Sequence, residues 1–438
     1  MLKLKRILPF LSCLALLAGI FGVAVSPSAL ASNAYPSTTA HQYTAVCSVP
    51  ARFVHCDALV FTTVRRKPLV QPSIAGPVAG SYGPAQFHIG YHLPCSVGGT
   101  SAQAICAKPS SFGKQTIAIV DAYNAPTIQA DLNTYDNYYG LPACTTSNGC
   151  FSIVNENGKA SPLPTTDTGW ALEISLDVET AHEICQTCKI LLVEASAASI
   201  FDLGTAVKTA ARLGATEISN SYGGSDFYGE ASYDSYYNHP GIAVTVSSGD
   251  GGYQDGFGVE YPSSSPYVVA VGGTTLNLNS NNTYLGESVW GDGGFDTAGS
   301  GSGCSMYENA NAWQTSVADW SQMQCGIKRG TADVSADADP YTGAAVYDST
   351  FYQGQSGWFL VGGTSLASPL IAGVFALAGG TSSYANAQRV PYVKFTSANS
   401  HDVTSGSNGY CGGAIVCRAA GGYDGPTGLG TPNGTGGF

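Results

Sequence analysis

Four short apolar runs recur through the middle of the chain, Gln115–Val120, Lys189–Glu194, Gly241–Val246 and Tyr267–Val271, with Thr216–Asn220 standing among them. Segments of helical spacing stand among them at Thr127–Tyr139, Gly169–Cys185 and Leu203–Leu213. Strands that are apolar throughout are buried on both faces, and strands alternating with helices pair in parallel through right-handed crossovers. That pattern narrows the fold to α/β, with a mainly parallel central sheet flanked by helices, in a single domain over 81–438. In such sheets, ligand sites form outside the carboxyl ends of the strands. Asp121, Ser219–Gly224 and Ser247–Gly251 all fall at such ends. The stretch 272–360 is rich in Gly, Ser and Asn and reads as long surface loops. Ahead of the domain, residues 32–80 read as a short N-terminal extension or remnant pro-segment, with a basic run at Arg65-Arg66-Lys67.

Residues 1–31 have the pattern of an export leader. Lys3, Lys5 and Arg6 precede an apolar stretch from Ile7 to Val25, and Ala29-Leu30-Ala31 has the small-x-small form of a cleavage site. The stretch is nearly long enough to be a membrane anchor, but Pro9, Gly19 and Gly22 favour removal. No later segment is long and apolar enough to span, so the expectation is an exported protein free of the membrane once the leader is cut. The leader carries three cations and no acids, so its loss shifts the net charge from −12 to −15. Only 11% of residues are charged. A lysine-poor, acidic surface disfavours nucleic acid and anionic membranes as partners.

Without Cys13 of the leader, twelve cysteines remain in close pairs: Cys47/Cys56, Cys95/Cys106, Cys144/Cys150, Cys185/Cys188, Cys304/Cys325 and Cys411/Cys417. In an exported chain these read as six local disulfides. Each closes a short loop and contributes at most about 2–3 kcal/mol, so they staple loops rather than define the fold. His182, Cys185 and Cys188 have the spacing of a partial zinc site, with no second cluster to complete four ligands.

Four segments carry candidate chemistry. In VGGTSLASP, Val361–Pro369, Ser365 lies between a Gly-Gly-Thr turn and an apolar run that reads as a buried helix. A helix N-terminus favours negative charge there, although Ser365 as a plain N-cap, or Ser368-Pro369 as a plain helix start, fits the same residues. Glu173 and Asp177 are four apart among Leu172, Ile174 and Leu176 and therefore share one helix face. A half-buried pair would share a proton and could serve a serine as base and orienting group; a solvated acidic face continuing to Glu179 and Glu183 is the other reading. In VSSGDGG, Val246–Gly252, Asp250 follows a strand end. It would repel an oxyanion as a carboxylate but donate to it when protonated, and it also fits an ordinary turn. Near the C-terminus, Asp402, Asp424 and the carbonyls of Val403, Ala420 and Gly422 offer hard oxygen ligands of the kind Ca²⁺ takes, or ordinary turns.

In this order, these segments resemble the sedolisins, the serine-carboxyl peptidases related in fold to subtilisin. The matches are EISLD at Glu173–Asp177, SSGD at Ser247–Asp250, GGTSLASP at Gly362–Pro369, and DVTSG with GYDGPTGLGTP at the C-terminus. YPSSSPYVVAVGGTT, Tyr261–Thr275, adds a further match, and coverage runs from about Tyr82 to Thr431. The resemblance implies a subtilisin-like fold with Ser365 as nucleophile, Glu173 as general base and Asp177 orienting Glu173. Asp250 would donate to the oxyanion together with the Ser365 amide. Ser219, Asn220, Ser221, Tyr222 and Gly223 would receive extended peptide as an added strand. One structural Ca²⁺ would sit on Asp402, Val403, Ala420, Gly422 and Asp424. The expected protein is a secreted, monomeric endopeptidase acting on proteins or peptides and favouring acidic pH.

Two features depart from the family. Relatives carry a large folded pro-domain, whereas about 50 residues precede the catalytic region here. Asp121 stands where subtilisins place their triad aspartate, yet no histidine begins a His-Gly-Thr-like helix, and His182 lies at the wrong place on its helix. Asp121 is thus an auxiliary acid coupled to the pair, or a structural strand-end acid. A catalytically silent secreted binding or wall-associated protein, and a peptidase active near neutrality, are the competing readings.

Overall fold

The computed structural model describes residues 43–47, 54–63, 67–94, 113–253, 259–291 and 298–438. These lie within one compact unit, His41–Phe438. The leader, the Cys95/Cys106 pair and Arg65-Arg66 fall outside the described residues.

At its centre is an eight-stranded sheet. Tyr284–Val289, Val269–Leu278, Ala243–Ser247, Glu217–Asn220, Thr116–Ala122, Lys189–Ala195 and Phe151–Asn155 follow in that order, with Val334–Asp337 beside Val269–Leu278. All pairings are parallel except that of the edge strand Tyr284–Val289. Alternation explains the layering. Ile117 and Ile119 join a core cluster with Ala171, Ile174 and Ala372, from the helices Thr168–Ile184 and Thr364–Leu377. Ala118 and Val120 join one with Leu203, Ala206 and Val207 of the helix Ile200–Arg212. Both faces are covered by helices, so most of the strands are apolar runs that mark them to within a few residues, while Glu217–Asn220 carries buried Glu217, Ser219 and Asn220.

The stretch 272–360 is not loop. It contains Tyr284–Val289, Gly303–Asn309, Lys328–Thr331, Val334–Asp337, Ala344–Tyr352 and Gln355–Gly362 as strands. Most of these are short or half-buried antiparallel strands, whose interrupted apolar pattern resembles turn-rich sequence. The described residues between 43 and 80 are likewise built into the fold. Tyr43–Ala45 pairs with Leu59–Phe61, which pairs with Gln355–Gly362, and Val70–Gln71 pairs with that same strand. A separate three-stranded ribbon orders Glu260–Tyr261, Tyr222–Ser225 and His55–Cys56.

Five of the six expected disulfides are formed among the described residues: Cys47–Cys56, Cys144–Cys150, Cys185–Cys188, Cys304–Cys325 and Cys411–Cys417. The partial zinc spacing is thereby a disulfide. His182 Nε2 lies 2.9 Å from the Pro142 carbonyl and 3.2 Å from Asp136 Oδ1. Among the described residues no helix is long and apolar enough to cross a membrane.

Candidate active site

Two buried helices carry the central residues. Thr168–Ile184 starts on Asp167, whose Oδ1 accepts from the Gly169 and Trp170 amides at 3.0 Å each. This N-cap satisfies amides that the helix itself cannot. The helix is buried all round from Gly169 to Ile184, so Glu173 and Asp177 are enclosed with it. The solvated-face reading of the pair is excluded by that burial.

Thr364–Leu377 begins after Gly363, whose φ of 102° lies in the region that glycine alone enters without strain. Pro369 lies inside this helix rather than at its start. It has no N–H to give the carbonyl of Ser365, four residues back. The Ser221 hydroxyl donates to that carbonyl instead, at 3.3 Å. Asp250 Oδ1 accepts from the Thr364 amide at 2.7 Å and the Thr364 hydroxyl at 2.9 Å, holding the helix start. Asp250 Oδ2 is buried with no hydrogen-bond partner and lies beside Gly363.

Ser365 is fully buried, and its hydroxyl donates to the Ser221 carbonyl at 3.4 Å. It also lies close enough to Glu173 to favour that residue's ionised form. Burial, followed by the neighbouring Asp177 and Asp121 carboxylates, nevertheless holds the Glu173 carboxyl well above the usual range. Burial and Asp121 raise Asp177 similarly, with the Ser221 hydroxyl pulling the other way. The structure thus brings Ser365, Glu173, Asp177 and Asp121 into one enclosed acidic cluster. Glu194, which the sequence reading did not single out, adds to it through Asp121. On the other side of the serine, burial pushes Asp250 up to about 8, despite its bonds from Thr364. Below that pH it keeps its proton and can donate a hydrogen bond.

The predicted peptide-binding strand divides in two. Ser219 and Asn220 are paired on both sides, with Thr245 and Val246 and with Ile119 and Val120. Their backbones therefore cannot receive an added strand, which corrects that part of the expectation. Ser221, Tyr222 and Gly223 do offer a free-standing edge, and the chain's own N-terminal segment lies on it. His55 and Cys56 pair antiparallel with Gly223 and Tyr222. The Asp57 amide donates to the Ser221 carbonyl at 3.3 Å, and the Asp57 carbonyl accepts from the Ser365 amide at 2.9 Å. Asp57 Oδ2 accepts from the Ser247 hydroxyl at 2.5 Å. His55 Nε2 lies 3.5 Å from both Asp57 Oδ1 and Glu260 Oε1. Burial lowers the His55 pKa, but the carboxylates of Glu260, Asp57 and Asp250 outweigh it and bring the imidazole up to about 10. Nothing in the sequence marks His55, Asp57 and Glu260 as neighbours, because the contact depends on two- and three-residue strands.

The C-terminal acids also converge. Asp402 accepts from the Gly422 amide at 3.1 and 3.2 Å, and Asp424 from the Ala420 amide at 3.0 Å. Thr427 donates to Asp424 through its amide and hydroxyl, and Val403 is buried beside Asp402. Asp424 rises to about 7 through burial and the adjacent Asp402 charge. A third acid absent from the sequence expectation, Asp319, approaches Gly422. The two carboxylates thus stand near each other on backbone amides, with Asp319 approaching the same turn.

Against known proteins, the subtilase family matches residues 158–412. Sedolisin of Pseudomonas sp. (strain 101) is 39% identical over 211 residues, covering 44% of this chain and 33% of that protein. Kumamolisin of Bacillus sp. (strain MN-32) is 34% identical over 207 residues, covering 44% and 35%. The chain therefore spans about a third of the length of these relatives. A solved structure of Pseudomonas sedolisin, a serine-carboxyl proteinase complexed with two molecules of pseudo-iodotyrostatin, superposes with a TM-score of 0.64 at 26% identity. That match covers 81% of this chain and 96% of the other. With a parallel sheet of this topology, the chain belongs to the subtilase family, and its listed relatives and the four motifs in order make it similar to the sedolisins.

Proposed function

We propose that this protein is a secreted serine-carboxyl endopeptidase that hydrolyses peptide bonds through an acyl-enzyme on Ser365 and favours acidic pH. The observation that carries the reading is the enclosure of Ser365 with Glu173 and Asp177 on one side and Asp250 on the other. Glu173 takes the Ser365 proton during attack and returns it to the leaving amine. Asp177 shares the charge and fixes the Glu173 carboxyl. Asp250, protonated below about 8, donates to the tetrahedral oxyanion together with the Ser365 amide. Extended peptide adds to the edge at Ser221–Gly223 when that edge is vacant.

Acid pH suits this arrangement because one proton must remain in the Glu173/Asp177 pair while Asp250 keeps its own. Asp402, Asp424 and the carbonyls of Val403, Ala420 and Gly422 would hold one Ca²⁺, which supplies charge neutralisation to the C-terminal loop and takes no part in the bond cleavage. We further infer a monomer acting on proteins and peptides, with no nucleic-acid partner and no membrane attachment after leader removal. The test is cleavage of denatured protein from about pH 3 to about pH 8. Wild-type activity should peak on the acid side and be lost in Ser365→Ala and Glu173→Gln. Equal activity in Ser365→Ala would sink the reading.

A further inference from the structure

We propose that His55, Asp57 and Glu260 form a binding site for one divalent transition-metal ion of the zinc class, with an imidazole nitrogen and two carboxylate oxygens as its protein ligands. The site draws on none of the acids assigned to Ser365 and goes beyond the peptidase reading.

The small antiparallel ribbon brings the three side chains together. Tyr222–Ser225 is its middle strand, with His55–Cys56 on one side and Glu260–Tyr261 on the other. His55 stands opposite Gly223, and Glu260 stands opposite Ser225. A Cβ on Gly223 or on Gly249 would overlap the Glu260 carboxylate. The two glycines therefore leave the room in which that carboxylate reaches the imidazole of the far strand. Cys56, tied to Cys47, fixes the backbone between His55 and Asp57.

The distances match coordination better than hydrogen bonding. His55 Nε2 is 3.5 Å from Asp57 Oδ1 and 3.5 Å from Glu260 Oε1, and the three atoms all lie within 4.8 Å of one another. An N–H···O bond is usually about 2.7–3.2 Å, so 3.5 Å is long for one. Nitrogen and oxygen ligands about 2.0–2.2 Å from a tetrahedral zinc stand about 3.3–3.6 Å apart, which is the spacing of both His55 pairs.

Unsatisfied oxygens point the same way. Asp57 Oδ1 is buried and takes no hydrogen bond, while Oδ2 accepts from the Ser247 hydroxyl at 2.5 Å. Ser247 thus orients the carboxylate with one oxygen left for a ligand, as outer partners of metal-binding carboxylates do. Glu260 Oε2 is likewise buried without a hydrogen bond. An imidazolium would offset one of the two enclosed carboxylates, whereas a divalent ion offsets both. The donor set selects the ion: imidazole with carboxylate oxygens suits Zn²⁺ and its neighbours better than Ca²⁺ or Mg²⁺, which take oxygen alone. The His55 side chain is 14% exposed while those of Asp57 and Glu260 are enclosed, so solvent enters from the imidazole side and a water can complete four ligands.

The experiment uses the full chain, free of tags and carrying Ser365→Ala so that no proteolysis alters it. Zn²⁺ is titrated by calorimetry in excess Ca²⁺, Co²⁺ is followed by its visible absorption, and melting temperatures are recorded with and without metal. One equivalent of Zn²⁺ should bind at micromolar affinity or tighter and raise the melting temperature. The Co²⁺ band should be abolished by Zn²⁺ and unmoved by Ca²⁺. His55→Ala and Glu260→Gln should each weaken binding about 100-fold or more, and Ser247→Ala about tenfold to 100-fold. Metal-free melts check that each variant folds, and Ser247→Ala decides if a ligand variant does not. Absence of Zn²⁺ binding, its displacement by Ca²⁺, or unchanged affinity in the three variants overturns the proposal. None of these readouts depends on peptide cleavage, so their failure leaves the peptidase reading standing.

Discussion

Asp121 and Glu194 stand directly opposite each other on adjacent parallel strands, both fully buried. Burial and then Glu194 raise the Asp121 carboxyl well above its usual range, and burial brings Glu194 up to about 8. Asp121 in turn raises both Glu173 and Asp177. The acids behind Ser365 therefore form a chain of four, in which the charge of Asp121 is felt by Glu173 beside the serine.

Asp121→Asn tests that coupling. Removing the carboxylate lets Glu173 ionise more readily, so the acid limb of the pH–rate profile should move to lower pH. Activity at the optimum should stay within about tenfold of wild type, since Asn keeps the volume and Asp121 makes no contact with Ser365. A purely structural acid would lower activity uniformly and leave the limb where it was.

Asp250 should define the opposite limb. Its proton is required for donation, so activity should fall as pH rises through about 8. Asp250→Ala removes the donor and the Thr364 contact, and kcat should drop by about 10²–10³. Asp250→Asn keeps a donor with no titration, and its profile should extend to higher pH than that of wild type. Profiles of kcat for the two variants, recorded side by side, separate donation from helix capping.

The candidate site residues Asp250 and Ser365 could be singled out in the sequence because each sits at a rigid element end that apolar runs announce. Val244–Ser247 leads to Asp250, and the buried turn at Gly362–Gly363 leads to Ser365. Glu173 and Asp177 were legible as a pair through helical spacing, but their burial was not, since Glu179 and Glu183 prolong the acidic pattern and are buried as well. Glu183 turns out to accept from the Tyr135 hydroxyl at 2.6 Å, a partner on another helix that no local pattern reveals. The N-terminal segment was missed for a different reason. His55–Cys56 is a strand of two residues, too short to show a period, and it gains its order from pairing with residues far along the chain. Ala344–Tyr352 and Gln355–Gly362 escaped because Gly, Ser and Gln interrupt their apolar positions.

Buried neutral carboxyls also set the stability profile. Glu183, Glu194 and Glu217 are each raised by burial from 4.5 to about 8. A group whose folded pKa is raised binds its proton more tightly in the native state, so its contribution is fully present below the unfolded value and is lost as pH rises through the folded one. The melting temperature should therefore be highest near pH 4.5 and fall steadily toward pH 8. Thermal melts across that range check the sign, and Glu183→Gln should flatten the slope. A melting temperature that rises with pH over this window would contradict the burial of these groups as neutral acids.

Gly363→Ala bears on the site most directly. At φ 102° and ψ 165°, a region essentially reserved for glycine, an alanine costs on the order of 1–3 kcal/mol in backbone strain alone. Its methyl would also occupy the space between Asp250 Oδ2 and the carbonyl presented to Ser365. The overlap with the Asp57 carbonyl has to be relieved by a shift of that segment, so the variant should fold with a lowered melting temperature. Catalysis should suffer far more. A carbonyl displaced from the Ser365 amide loses oxyanion stabilisation, and kcat should fall by about 10²–10³ with KM much less changed. Circular dichroism together with steady-state kinetics distinguishes the two effects. If kcat survives with the fold intact, the reacting carbonyl does not lie over Gly363, and the placement of Asp250 as its second donor is wrong.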